Sequence, residues 1–162
     1  MSICQADYPT QAPPPYGIQA PASQLYLLSE QGFKPIRGTL TEGRYLTFES
    51  NGYALTVSGS QFIATEAAAA HDDINQRWIV HELEEGGTQF NISSAATNMW
   101  VSQHTSLSYN VSGAEVYIIS FVGDGYTLQK ENGDFLTFGG GGDVVISSSA
   151  QSFEVFSVTY ST

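Results

Sequence analysis

From residue 45 onward, aromatic and aliphatic residues recur in short alternating runs, each bounded by Gly, Asn, Asp or Ser. Period-two patterning broken by frequent turn signals predicts half-buried strands in an all-β domain. The runs fall into three sets with the same internal order. The first is Tyr45-Leu46-Thr47-Phe48, Tyr53-Ala54-Leu55-Thr56-Val57, Phe62-Ile63-Ala64 and Trp78-Ile79-Val80. The second, and weakest, is Phe90-Asn91-Ile92, Met99-Trp100-Val101, Leu107-Ser108-Tyr109 and Val116-Tyr117-Ile118. The third is Tyr126-Thr127-Leu128, Phe135-Leu136-Thr137-Phe138, Val144-Val145-Ile146 and Phe153-Glu154-Val155. A repeat of this kind sets the architecture before any other assignment.

Three four-stranded units, about 44–83, 88–121 and 125–158, fit a β-trefoil. The outer strands of each unit build a closed barrel, and the inner hairpins cap it, which removes exposed sheet edges. A two-sheet β-sandwich has the same strand spacing and is the alternative; the repeat favours the trefoil. The expected core layers are Tyr45, Phe90 and Tyr126; Leu55, Val101 and Leu136; and Trp78, Val116 and Phe153. The extra length of copy one falls in an insert from Glu66 to Gln76, whose alanine run predicts one or two helical turns on the surface. Asn51-Gly52 and Asn132-Gly133 predict type I′ hairpin turns, whereas Thr97-Asn98 predicts a longer or different turn in copy two. The glycine run 139–142 predicts a wide, flexible turn between the second and third strands of copy three.

Ahead of the repeats, residues 1–23 carry Pro9, Pro13, Pro14, Pro15 and Pro21, so they read as an extended tail or linker, with the domain at 24–162. Phe33-Lys34-Pro35-Ile36 reads as an edge segment because of its proline. Met1-Ser2-Ile3-Cys4 holds no basic or apolar leader, so the chain is expected to be an internal fragment. The single cysteine, Cys4, is either a free thiol or the partner of a cysteine elsewhere.

Charge narrows the classes of partner. The net charge is −11 with five Lys plus Arg, so nucleic acid and anionic membrane surfaces are not expected partners. No apolar run approaches a membrane span. Charged residues make up only 13% of the chain, so the surface must be dressed with Ser, Thr, Asn and Gln, which suits hydrogen bonding to neutral polar ligands. No nucleophile elbow, zinc motif or phosphate loop occurs, so no cofactor, metal or catalytic residue is assigned. His71-Asp72-Asp73 reads as a solvated loop rather than a metal site.

At Gln76-Arg77-Trp78 and Gln151-Ser152-Phe153 the chain resembles ricin-type lectin domains, whose repeats carry Gln-x-Trp. In copy two the same place reads Ala114-Glu115-Val116, which departs from the motif. The resemblance covers about residues 44–158 and implies a trefoil and carbohydrate binding. Cys4 through Gly17 is similar to the region that follows the catalytic domain in secreted fungal phosphoesterases of the phospholipase C type. That likeness implies an accessory domain beside a tethered catalytic domain.

A sugar site needs an aromatic face for the apolar side of a pyranose and amides or carboxylates for its hydroxyls. Trp100 neighbours the core position Val101, so alternation turns it outward, with Asn98 and His104 nearby in sequence. Its bland alternative is a tryptophan that covers the barrel mouth. Phe135 occupies the same register in copy three beside Asn132 and Asp134, while copy one has only Ala54 there. Tyr53 and Tyr109 are further aromatics that read as structural. Asn91 and Asn110 head glycosylation sequons. The expectation is therefore a secreted, non-catalytic, lectin-like module that binds a glycan or polysaccharide. A trefoil protease inhibitor presenting the copy-one insert, or a domain that buttresses a catalytic partner, is the alternative.

Overall fold

The computed structural model describes residues 35–40, 42 and 44–158. The proline-rich stretch 1–23, Cys4 and Leu25-Tyr26-Leu27-Leu28 lie outside them. Copy one folds as β1 (Tyr45–Ser50), β2 (Tyr53–Ser58), β3 (Gln61–Glu66) and β4 (Trp78–Glu82). Copy two follows as β5 (Gln89–Ser94), β6 (Trp100–Val101), β7 (Leu107–Ser108) and β8 (Tyr117–Val122). Copy three is β9 (Gly125–Lys130), β10 (Phe135–Phe138), β11 (Val144–Ser147) and β12 (Glu154–Val158).

Hydrogen bonding joins these strands into a β-trefoil. The ladder runs β12–β1–β4–β5–β8–β9, and Tyr126 of β9 pairs back to Phe153 beside β12. That last pair is reciprocal: each residue's N–H donates to the other's carbonyl at 2.8 Å. The hairpins β2–β3, β6–β7 and β10–β11 stand off this six-stranded barrel.

The inner face of the barrel repeats three times. Leu46 pairs with Trp78, Phe90 with Tyr117, and Tyr126 with Phe153. All six are buried, and the residues two positions on, Phe48, Val80, Ile92, Ile119, Leu128 and Val155, form the adjoining layer. Leu55, Val101 and Leu136 from the hairpins are buried over them, as their register predicts. The Trp78 indole N–H donates to the Leu55 carbonyl at 2.9 Å, so the largest core side chain leaves no unpaired donor.

Two expected core positions are corrected. Tyr45 is exposed and Leu46 takes its place; in copy two Val116 is only half-buried and Tyr117 is fully buried. Adjacent apolar residues leave the phase of a strand ambiguous, and a slip of one residue exchanges its two faces. With Tyr117 as the anchor, the motif of copy two becomes Glu115-Val116-Tyr117, a glutamate in place of the glutamine. The Tyr117 hydroxyl has no hydrogen-bond partner among the described residues, and burial, with Glu115, raises its pKa well above the ordinary phenol value.

Turns agree in part with their sequence signals. Asn51 and Gly52 both have positive φ, 53° and 83°, as a type I′ turn requires. In copy three only Gly133 is left-handed, and Gly133 N–H bonds to Lys130 C=O while Lys130 N–H bonds to Asp134 C=O. That is a three-residue loop ending in a left-handed glycine, not a type I′ turn. Copy two uses a longer turn, with Ser94 Oγ accepting from the N–H groups of Ala96 and Thr97. The glycine run forms a compact 3-10 turn at Gly140–Gly142 instead of a wide loop. Pro35 makes an isolated bridge to Phe156, an edge contact as its sequence predicts.

The copy-one insert contains two 3-10 turns, Ala69–His71 and Ile74–Gln76, rather than α-helix. Ala70 and His71 have φ of 57° and 54°, which interrupts any regular helix through the alanine run. Gln76 is the clamp that holds this segment. Its Oε1 accepts from Ala68 N–H at 2.9 Å, and its Nε2 donates to the Glu66 carbonyl at 2.9 Å and to Thr65 Oγ1 at 3.0 Å. In copy three the equivalent Gln151 accepts from Phe138 N–H at 2.7 Å. In both copies the glutamine of the repeat motif ties down backbone within its own repeat.

Replacing Gln76 with Ala leaves backbone groups of the insert without partners. We expect Gln76→Ala to lower unfolding free energy by about 2–4 kcal/mol in chemical denaturation, against about 1–2 kcal/mol for the half-buried Gln151→Ala.

Candidate functional site

The strand pairing tests the register of the aromatic candidates directly. Ala54 lies opposite Glu49, Trp100 opposite Ser93, and Phe135 opposite Gln129, the equivalent partner in each copy. Trp100 and Phe135 are half-buried, while Ala54 is fully buried. Alternation from Val101 and Leu136 thus does turn both rings away from the barrel interior. They belong to different repeats, so they define two places rather than one.

Around Trp100 the outer face of the β4–β5 ladder supplies the neighbours. The His81 ring lies against the indole with centroids 4.6 Å apart and planes at 53°. His81 Nε2 is 2.8 Å from Ser93 Oγ, which fixes the imidazole. Burial lowers the His81 pKa below its ordinary value, with Glu42 opposing. The imidazole is therefore biased toward its neutral form, an uncharged backing for the tryptophan. Sequence reasoning missed His81 and Ser93 because their contact with Trp100 spans two hairpins; their alternation with Val80 and Ile92 is the signal that places them on the outer face.

The other sequence candidates are spread more widely. Asn98 is exposed and left-handed, φ 63°, in the turn before β6, while His104, exposed with φ 59°, sits in the turn after it. They lie at opposite ends of β6, Asn98 just before Trp100 and His104 beyond Val101. In copy three Asn132 Oδ1 accepts from Asp134 N–H at 2.9 Å, an internal turn contact, with Asn132 exposed and Asp134 half-buried beside Phe135. Tyr109 is 85% exposed and Asn110, next to it, is exposed. Asn91 faces outward but is half-buried, and its Oδ1 is enclosed without a partner among the described residues.

Copy one has its own arrangement at the equivalent place. His71 Nδ1 lies 2.7 Å from Glu49 Oε2, and the imidazole stacks on Phe156 at 4.2 Å. Arg77, buried between Gln76 and Trp78, donates from Nε and Nη2 to the His71 carbonyl. Burial lowers the Arg77 pKa, and Asp72 and Asp73 oppose that shift. The insert is thus tied through His71 to β1 and β12, and through Arg77 and Gln76 to itself and to β3. No group of three or more His, Cys, Asp or Glu positioned to hold a metal is present among the described residues.

No protein-family model and no curated protein sequence matches the chain. Solved structures do. A lectin from Polyporus squamosus, solved with the human-type influenza-binding epitope Neu5Acα2-6Galβ1-4GlcNAc, is similar with a TM-score of 0.54 and 18% identity over 74% of this chain. The match covers 49% of that lectin, so this chain spans about half its length. The designed three-fold symmetric protein ThreeFoil is similar at TM-score 0.54 and 16% identity, over 70% of this chain and 99% of that one. A Caenorhabditis elegans protein of unknown function matches at TM-score 0.53 and 16% identity, over 75% of this chain and 96% of its own. At these identities the likeness shows the β-trefoil fold.

The depressed His81 pKa has a definite sign in folding. The unfolded chain binds the proton more readily, so His81 costs stability as pH falls below the ordinary histidine value of about 6.5 and costs nothing above it. We expect urea midpoints between about pH 6.5 and 5 to fall less steeply in His81→Gln than in the wild type.

Proposed function

We propose that the chain is a secreted, non-catalytic, lectin-like carbohydrate-binding module. The observation that carries this reading is the outward Trp100 ring, held in place by His81 and Ser93 and repeated in register by Phe135. A half-buried indole offers a hydrophobic plate to the C–H face of a sugar, and its rigid backing lowers the ordering cost on binding. Asn98 at one side of Trp100 and Asp134 beside Phe135 supply hydrogen-bonding groups for hydroxyls. The fold shared with a glycan-bound lectin agrees with this reading. In copy one the buried Ala54 and the tied-down insert offer no such plate. The role as an accessory domain tethered to a phospholipase C-type hydrolase rests on the Cys4–Gly17 likeness alone.

A glycan and polysaccharide array is the test. The wild type should bind at least one polysaccharide or extended glycan, and Trp100→Ala should weaken that binding about tenfold while remaining folded by circular dichroism. A silent array with folded protein would remove the carbohydrate reading. Array binding untouched by Trp100→Ala and Phe135→Ala would remove these two platforms.

A further inference from the structure

Where copy three meets copy one, a pocket of about 240 Å³ opens between the β1–β2 turn and the connection from β10 to β11. Tyr53, Phe138, Asn51, Ser50, Gln151 and the glycine run 139–142 line it. These residues lie far apart in the chain and meet only because the barrel closes. Gln151 holds the seam: its Oε1 accepts from Phe138 N–H, and its Nε2 donates to Ser50 Oγ at 2.9 Å. Phe138 is braced edge-on against Phe153 with centroids 4.9 Å apart. The Tyr53 ring is 45% exposed.

The glycine run holds one residue that the fold does not require. A side chain on Gly139 would press on Val145 Cγ2 at 3.0 Å. Gly141 and Gly142 have φ of 76° and 92°, and a Cβ on Gly142 would meet the Ala64 carbonyl at 3.1 Å. Gly140 has neither a left-handed backbone nor any atom within 4 Å of a Cβ placed there. Its bareness leaves main-chain polar groups accessible at the rim of the pocket, which is where close approach by a ligand needs them.

The chemistry of the lining names the ligand class. Two aromatic rings, two amides, the hydroxyls of Ser50 and Tyr53 and a bare backbone surround the space, and no carboxylate, guanidinium, ammonium or imidazole lines it. The volume lies below the roughly 300–1,000 Å³ of drug-sized sites, which suits one small ring. An anion would meet no positive partner here, in a chain whose net charge is −11.

We propose that this inter-repeat pocket is a binding site for a single neutral pyranose, stacked on Tyr53 and hydrogen-bonded by Asn51 and the Gly140 backbone, and that it rejects acidic sugars. The site deepens the carbohydrate-binding reading and rests on it, but it is separate from the Trp100 and Phe135 platforms.

The experiment is an NMR titration of amide and aromatic resonances with free methyl glycosides of neutral hexoses and N-acetylhexosamines, and with the methyl glycoside of N-acetylneuraminic acid. Saturable shifts should appear at Tyr53, Gly140 and Gln151 with a neutral glycoside and not with the acidic one. Tyr53→Ala should weaken binding about tenfold. Gly140→Val, whose Cβ falls in open space, should abolish binding in a protein that stays folded by circular dichroism, and Trp100→Ala should leave it intact. Binding unaltered in both Tyr53→Ala and Gly140→Val overturns the pocket. Equal binding of the acidic glycoside overturns its selectivity. No shift with any neutral glycoside, alongside a positive array, overturns the pocket and leaves the broader reading standing; silence in both experiments overturns the two together.

Discussion

Three cross-strand pairs, Leu46 with Trp78, Phe90 with Tyr117 and Tyr126 with Phe153, are the constraint on which the rest of the molecule depends. The third closes the barrel through two backbone hydrogen bonds. It works only because β9 approaches β12 very closely: a Cβ on Gly125 would lie 2.2 Å from Ser152 Oγ and 2.7 Å from the Phe153 carbonyl. Once the ring is closed, β9 and β12 cease to be free edges and every outer-face register is set. The segment ahead of β1 is fixed to the same place, since the Tyr126 hydroxyl donates to the Gly38 carbonyl, Leu40 is buried in the core and Ile36 N–H bonds to Val155 C=O.

On this symmetric scaffold one motif position performs three different tasks. In copy one Gln76 binds the insert to its own hairpin. In copy three Gln151 also reaches across the seam to Ser50 and so joins the last repeat to the first. In copy two the position holds Glu115, half-buried, whose N–H bonds to the Val101 carbonyl while its charge lies near the Tyr117 hydroxyl. The three-fold core tolerates this because the differences fall outside the inner layers, where each change alters surface chemistry without altering packing. A pocket forms at the copy three–copy one seam because Gln151, a glycine run and an exposed tyrosine coincide there.

The electrostatics follow the same division. The surface carries an excess of carboxylates, yet Trp100 is backed by a group biased toward neutrality. His81 is held below its ordinary pKa by burial beside Trp100, and the seam pocket has no charged lining at all. Under the proposed carbohydrate reading, recognition at such places would depend on stacking and on directional hydrogen bonds rather than on charge. The buried ionisable groups of copy one, Glu49 with His71 and the neighbouring Arg77, do something else: they hold the insert against β1 and β12.

Much of this is written in the sequence alone. Period-two alternation and the recurrence of aromatic anchors determine an all-β chain of three repeats, because strand faces alternate regardless of context. The outward turn of Trp100 and Phe135 follows from the same rule, since each is next to a core residue. What sequence leaves open is the phase of a strand where apolar residues are adjacent, as at Tyr45-Leu46 and Val116-Tyr117; only the neighbouring strand chooses between them. Likewise the glycine run 139–142 looks like a loose turn until the barrel closes and brings Tyr53 and Asn51 against it. Local propensity acts along the chain, whereas that pocket and the contact of His81 with Trp100 exist only between segments far apart in it, and tertiary packing alone decides which segments meet.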